Sequence, residues 1–152
     1  MSIQFVPGQV AVGDPAPNGP SALSGPNKDV LVKVVKLSGA NFTTGGTNTL
    51  VAVLPADATI IGINHWVKTQ LAGNSISAAT LNIGTSSGGT QIASAFNSFG
   101  TAGAYAAITP INAIVQNYQI PQGADIQIFA GGTATTGNPT SGEIYLVISY
   151  VR

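Results

Sequence analysis

The clearest pattern in the chain lies between residues 58 and 92, where apolar and polar positions alternate with the two-residue period of a half-buried strand. Ile61, Ile63, His65, Val67 and Leu71 fall on one side and Asn64, Lys68 and Gln70 on the other, with Trp66 an apolar exception on the polar side. The run Ala-Gly-Asn-Ser at 72–75 is turn chemistry. Leu81 and Ile83 then alternate with Thr80 and Asn82. A tip of Gly, Thr and Ser at 84–89 returns the chain into Thr90, Gln91 and Ile92. Three consecutive strands are expected here, and the remaining elements are read around them.

On the N-terminal side, residues 30–37 are rich in β-branched side chains and predict a strand. A loop is expected over 39–47, then a second strand over 48–54 that Pro55 and Asp57 terminate. On the C-terminal side, Gln91 to Phe96 continues the third strand of the central stretch. Residues 97–107 are Gly- and Ala-rich without a clear period, which predicts a long loop. A strand is expected within 111–120, with Ile114, Gln116, Tyr118 and Ile120 on one face. After a turn at 121–123, Ile126 and Ile128 point inward and Asp125 and Gln127 outward along a strand over 124–130. A flexible loop of Gly, Thr, Asn and Pro is expected over 131–142. The last strand, 143–151, places Ile144, Leu146, Ile148 and Tyr150 on one face.

No segment carries the 3.6-residue stripe of an amphipathic helix. Eight or so short strands separated by Gly, Pro and Asn turns predict an all-β fold, an antiparallel β-sandwich. The strand number suits a jelly roll of two four-stranded sheets. An immunoglobulin-like sandwich is the alternative, but its Cys…Trp…Cys pattern is absent because the chain has no cysteine. Residues 1–28 are different. Five of the nine prolines fall there, with Gly8, Gly13, Gly19 and Gly25 interspersed, so neither a helix nor a central strand fits. This leader is either a loose terminus or an extended Pro/Gly-rich N-terminal arm that orders on a neighbour. Ile3, Phe5, Val10, Val12 and Leu23 favour the arm, since a pure linker has little use for them. The expected division is an arm over 1–28 and a sandwich over 29–152.

Charge changes the picture most. Only 7% of the 152 residues are charged, five basic and five acidic, where about 25% is usual. Lys28, Lys33, Lys36, Lys68 and Arg152 are too few and too scattered to neutralise phosphates, so nucleic acid is not an expected partner. A surface with so little charge suits a protein covered by copies of itself or by partners. No apolar run is long enough for a transmembrane helix, so no membrane partner is expected. The first residues lack the features of a signal peptide, which predicts synthesis and folding in the cytoplasm.

Candidate chemistry is sparse. His65 is the single histidine and falls on the apolar face, where a hydrogen-bonded core histidine is the plainest reading. Nothing near it in sequence would orient a catalytic triad, and one histidine is too few for a cupin-type metal centre. Asp14, Asp29, Asp57, Asp125 and Glu143 are dispersed, and no calcium-loop spacing occurs. The glycines at 84–89 lack the lysine and following helix of a phosphate-binding loop. No enzyme activity, metal or cofactor is expected. Trp66 stands out as an aromatic on a polar face. It is either buried by a bulge or covering loop, or anchors a protein interface, or stacks on a sugar.

The run Leu54-Pro-Ala-Asp-Ala-Thr-Ile-Ile-Gly-Ile63, followed by Ala79-Thr-Leu-Asn-Ile-Gly-Thr85, resembles a pattern in small virion proteins of tailed bacteriophages. The resemblance spans roughly residues 30–151 and consists of strands and turns. It implies a capsid cement, or decoration, protein on the exterior of the phage head. Such a protein binds the major capsid protein, forms homodimers or homotrimers, and bridges neighbouring capsomers. No catalytic or binding residue is carried over. Candidate interface residues from the chain itself are Ile3, Phe5, Val10, Val12, Leu23 and Trp66. Two other virion roles compete. A receptor- or glycan-binding fibre module would want several surface aromatics, for which Trp66, Tyr105 and Tyr118 are available. A major capsid subunit would want a basic interior arm, and Lys28 alone does not make one.

Overall fold

The structure is a computed structural model that describes residues 29–109 and 123–152. The leader, with Ile3, Phe5, Val10, Val12 and Leu23, lies outside the described residues, as does the strand expected within 111–120. The described residues form nine strands: β1 (Val30–Ser38), β2 (Phe42–Thr43), β3 (Thr49–Leu54), β4 (Thr59–Ala72), β5 (Ala78–Gly84), β6 (Ala93–Asn97), β7 (Tyr105–Ala107), β8 (Ile126–Thr135) and β9 (Ser141–Val151). Among the described residues the only helical element is one 3-10 turn, Gly39–Asn41. It is closed by the Asn41 side chain, whose Oδ1 accepts from the Ser38 backbone N–H at 2.8 Å.

The strands form two sheets, ordered β1-β9-β4-β7 and β2-β8-β5-β6, with β3 also paired to β8. β2 and β3 lie one after the other along β8: Phe42 is opposite Gly132, and Thr49 to Leu54 run opposite Ala130 to Ile126. Taken as one interrupted strand, they leave eight positions in the chain. First then pairs with eighth, second with seventh, third with sixth and fourth with fifth. That nested pairing, divided between two sheets, is the jelly roll. The fold is an all-β sandwich, as expected, with five strands in one sheet and four in the other.

Alternation supplies the core. Ile63, His65, Val67 and Leu71 of β4 and Ile144, Leu146 and Ile148 of β9 are buried on the inner face of the first sheet. Leu81 and Ile83 of β5 and Ile126, Ile128 and Ala130 of β8 are buried on the second. Phe42, Leu37 and Leu54 complete the filling. Each fully buried Leu, Ile or Phe contributes about 1.5–3 kcal/mol relative to exposure.

Several expected boundaries shift. Ile61 is exposed and Ile60 is buried instead. β4 has 14 residues and its partner β9 has 11, and three register shifts absorb the difference. One of them falls between Ile60 and Gly62; a bulge there adds a residue and reverses the side-chain parity before it. The third strand of the central stretch begins at Ala93 rather than Gln91. Gln91 instead works on the tip, where its Oε1 accepts from the Thr85 backbone N–H at 3.1 Å. The loop expected over 97–107 ends in β7, and the one over 39–47 contains β2.

The largest correction concerns residues 131–142. They are not one loop: β8 runs through Gly131 and Gly132 to Thr135, and β9 begins at Ser141. The glycines are strand residues that let other chain segments approach closely. A Cβ on Gly132 would lie 2.3 Å from the Thr80 carbonyl oxygen and 2.4 Å from the Phe42 ring, and one on Gly131 would lie 2.4 Å from the Thr47 carbonyl oxygen. Gly132→Ala is therefore expected to lower stability by about 1–3 kcal/mol through overpacking. Gly62→Ala meets nothing within 4 Å and should change it by less than about 0.5 kcal/mol. Urea unfolding of both variants checks the contrast.

Candidate interaction face

The two faces of the β1-β9-β4-β7 sheet have opposite uses. The inner face holds His65. It is buried, its Nε2 lies 3.0 Å from Ser98 Oγ in a hydrogen bond, and its ring packs at a tilt on Phe96 with centroids 5.1 Å apart. Burial pushes the imidazole below its ordinary pKa, because a charged ring would lose water without gaining a counter-charge. This is the satisfied core histidine the pattern predicted. A neutral ring sealed between two strands and a serine is poorly placed to exchange protons with a substrate.

The outer face is where the unusual residues gather. Trp66 points outward, next to Asn64 and Lys68, and is 37% exposed. Register sets Tyr145 of β9 and Tyr105 of β7 directly opposite it on either side, making an aromatic row across three strands. The Trp66 and Tyr145 rings stack with centroids 5.4 Å apart at 25°, the offset geometry aromatic pairs prefer. Beside this row, Asn64 is flanked by Val147 and Ala107. The edge strand β1 adds Val30, Val32 and Val34, each more than half exposed.

One end of the face is ionic. Glu143 is paired to Lys36 through one carboxylate oxygen and to Lys68 through the other, the latter at 3.0 Å. The hydrogen bonds from Lys36 and then Lys68 hold the Glu143 carboxyl below its usual range. The same carboxylate raises both lysines. Lys68 Nζ also lies 5.9 Å from the centre of the Tyr145 ring. The pairs are partly exposed and add little to stability, but they neutralise the face's carboxylate from within the chain.

Of the six candidate interface residues, Trp66 is placed on this face, and the other five lie outside the described residues. Tyr145 and the β1 valines were missed. Their signal was readable: Tyr145 alternates against Ile144 and Leu146, and residues 30–37 are apolar at both parities, the mark of a strand with two covered faces. Tyr105 was recognised as a surface aromatic but assigned to a loop. Among the described residues, no three His, Asp or Glu side chains converge in a way that could hold a metal ion, and no helix is long and apolar enough to cross a membrane.

No family model and no curated protein matches the chain. Solved structures do. The chain is similar to one in the capsid asymmetric unit of cyanophage Pam1, at 18% identity and TM-score 0.55, covering 82% of this chain and 85% of that one. It is also similar to one in the capsid of Ralstonia phage GP4, at 15% identity and TM-score 0.52, covering 82% and 84%. The fold is thus one found in chains of phage capsids. The near-equal shares mean chains of comparable length, so the likeness spans most of a small chain rather than one domain of a large subunit.

The His65 arrangement predicts how stability depends on pH. The folded chain takes up the imidazole proton less readily than the unfolded chain, so acid favours unfolding. This contribution is complete above the ordinary imidazole value of about 6.5 and declines as pH falls below it. Chemical denaturation between pH 7.5 and 5 should show the decline, and His65→Gln, which keeps a partner for Ser98, should flatten it.

Proposed function

We propose that this chain is a structural virion protein without enzymatic activity, a cement or decoration protein that binds the outside of a phage head and bridges major capsid protein subunits. The observation that carries this reading is the likeness, over more than four-fifths of two small chains, to components of phage capsids. The surface supports it. A protein that binds protein needs apolar and aromatic area rather than titratable groups, and the outer face of the first sheet offers Trp66, Tyr105, Tyr145 and the β1 valines. Low charge favours coverage by copies and by shell. Binding only to the assembled shell would stabilise it by mass action, and many copies would add avidity.

In this reading the leader 1–28 is the attachment arm. Fully extended, it could span several tens of ångströms at about 3.3–3.6 Å per residue, enough to cross a subunit boundary. Its prolines restrict the free chain and so lower the entropic cost of ordering. The glycan-binding alternative is disfavoured by the aromatic row itself. Trp66 and Tyr145 cover each other's ring faces, leaving less of the flat π surface that a sugar would stack on.

Capsids that lack the protein provide the test. Full-length chain should fill discrete exterior sites and raise the temperature at which the shell opens. Deleting residues 1–28 should leave a folded sandwich and reduce occupancy at least tenfold. Full occupancy by the truncated chain would remove the arm from the account, and no binding by the full-length chain would remove the cement role.

A further inference from the structure

We infer that the outer face of the β1-β9-β4-β7 sheet is a homotypic interface, on which a second copy of this chain packs face to face about a two-fold axis. The inference rests on the self-association part of the proposed function and not on attachment to a shell.

Three observations select this occupant. The first is size. Strands about 4.8 Å apart, rising about 3.3 Å per residue, give β1, β9, β4 and the short β7 a footprint of about 500 Å². Two such faces bury about 1,000 Å² in total, near the lower bound for a specific interface. Apolar patches of several hundred Å² mark interaction sites.

The second is shape. Three strands of nine, eleven and fourteen residues make a flat, twisted surface, and the surface that complements a sheet best is another sheet packed with strands within about 30°. A copy supplies that partner, and two-fold pairing sets each aromatic row near its counterpart. Aromatic anchors at an interface centre dominate binding energy.

The third is charge. The ionic cluster occupies one end of the face, and Glu143 is satisfied by the chain's own Lys36 and Lys68. A partner therefore has no carboxylate to neutralise. A two-fold axis that reverses strand direction places each cluster over the opposite end of the other copy. There β4 and β9 present Ile61, Gly62 and Ser149, none of them charged. An ion pair in that neighbourhood, Asp57 with Arg152 at 2.9 Å, balances its own charge. On β4 and β9 the two copies therefore meet without opposing like charges, which a partner with a strong field of its own would not allow.

Sedimentation equilibrium of the full-length chain tests this. The wild type should behave as a dimer at micromolar concentration, with little change in several hundred millimolar salt because screening acts on charges. Trp66→Lys and Val32→Lys, both at exposed positions, should each shift the association at least tenfold toward monomer. Their circular dichroism should stay near wild type. Leu50→Lys, on β3 of the other sheet and also exposed, should leave the dimer intact. A monomeric wild type, an unaffected dimer in both face variants, or loss of the dimer in Leu50→Lys would each overturn the inference. Occupancy on capsids is read separately. A monomeric wild type that still fills shell sites overturns the homotypic face and leaves the cement role standing.

Discussion

The pairing of β4 with β9 is the contact on which the rest of the molecule depends. These are the two longest strands and the two inner strands of their sheet, in register from Thr59 opposite Val151 to Ala72 opposite Ser141. One side of this ribbon delivers Ile63, His65, Val67, Leu71, Ile144, Leu146 and Ile148 to the core. The other side delivers Trp66, Tyr145, Lys68, Glu143 and Val147 to the surface. A slip of one residue would exchange the two sets, burying the ion cluster and exposing the core. Three bulges let unequal strands pair without such a slip. Core and candidate interface are thus two consequences of a single register.

Much of the sandwich was legible from alternation. The inner residues of β5, β8 and β9 follow a clean period of two, and His65 was placed correctly in the core on the same ground. What failed had identifiable physical causes. Ile61 lies at a bulge, which no composition signal marks, so its parity was misread. Gly131 and Gly132 look like loop residues because flexible loops are glycine-rich. They are strand residues whose missing Cβ atoms admit Phe42, Thr80 and Thr47, which are distant in sequence. β7 is three residues long and all of it exposed, too short to show a period. The nested jelly-roll pairing is a property of long-range contacts and was not readable at all. At the candidate interface, Trp66 could be singled out alone, but its neighbours Tyr145 and Tyr105 come from other strands and needed the register.

The molecule concentrates its specialisation in surfaces. Its histidine is neutral and enclosed, its acidic residue at the face is paired twice within the chain, and, among the described residues, the five most exposed large apolar side chains, Val30, Val32, Val34, Ile61 and Tyr105, lie on one sheet. In the proposed attachment role, stiffness and complementary area matter more than a reactive group. The proposed division of labour assigns the leader to the shell and the outer sheet face to a second copy.

Cryo-electron microscopy of phage particles produced in the presence of this chain tests the central proposal most directly. The account predicts density for the sandwich at symmetry-related positions on the exterior of the head, over boundaries between major capsid protein subunits. Density at a tail or fibre position, inside the shell, or absent from the particle would contradict it.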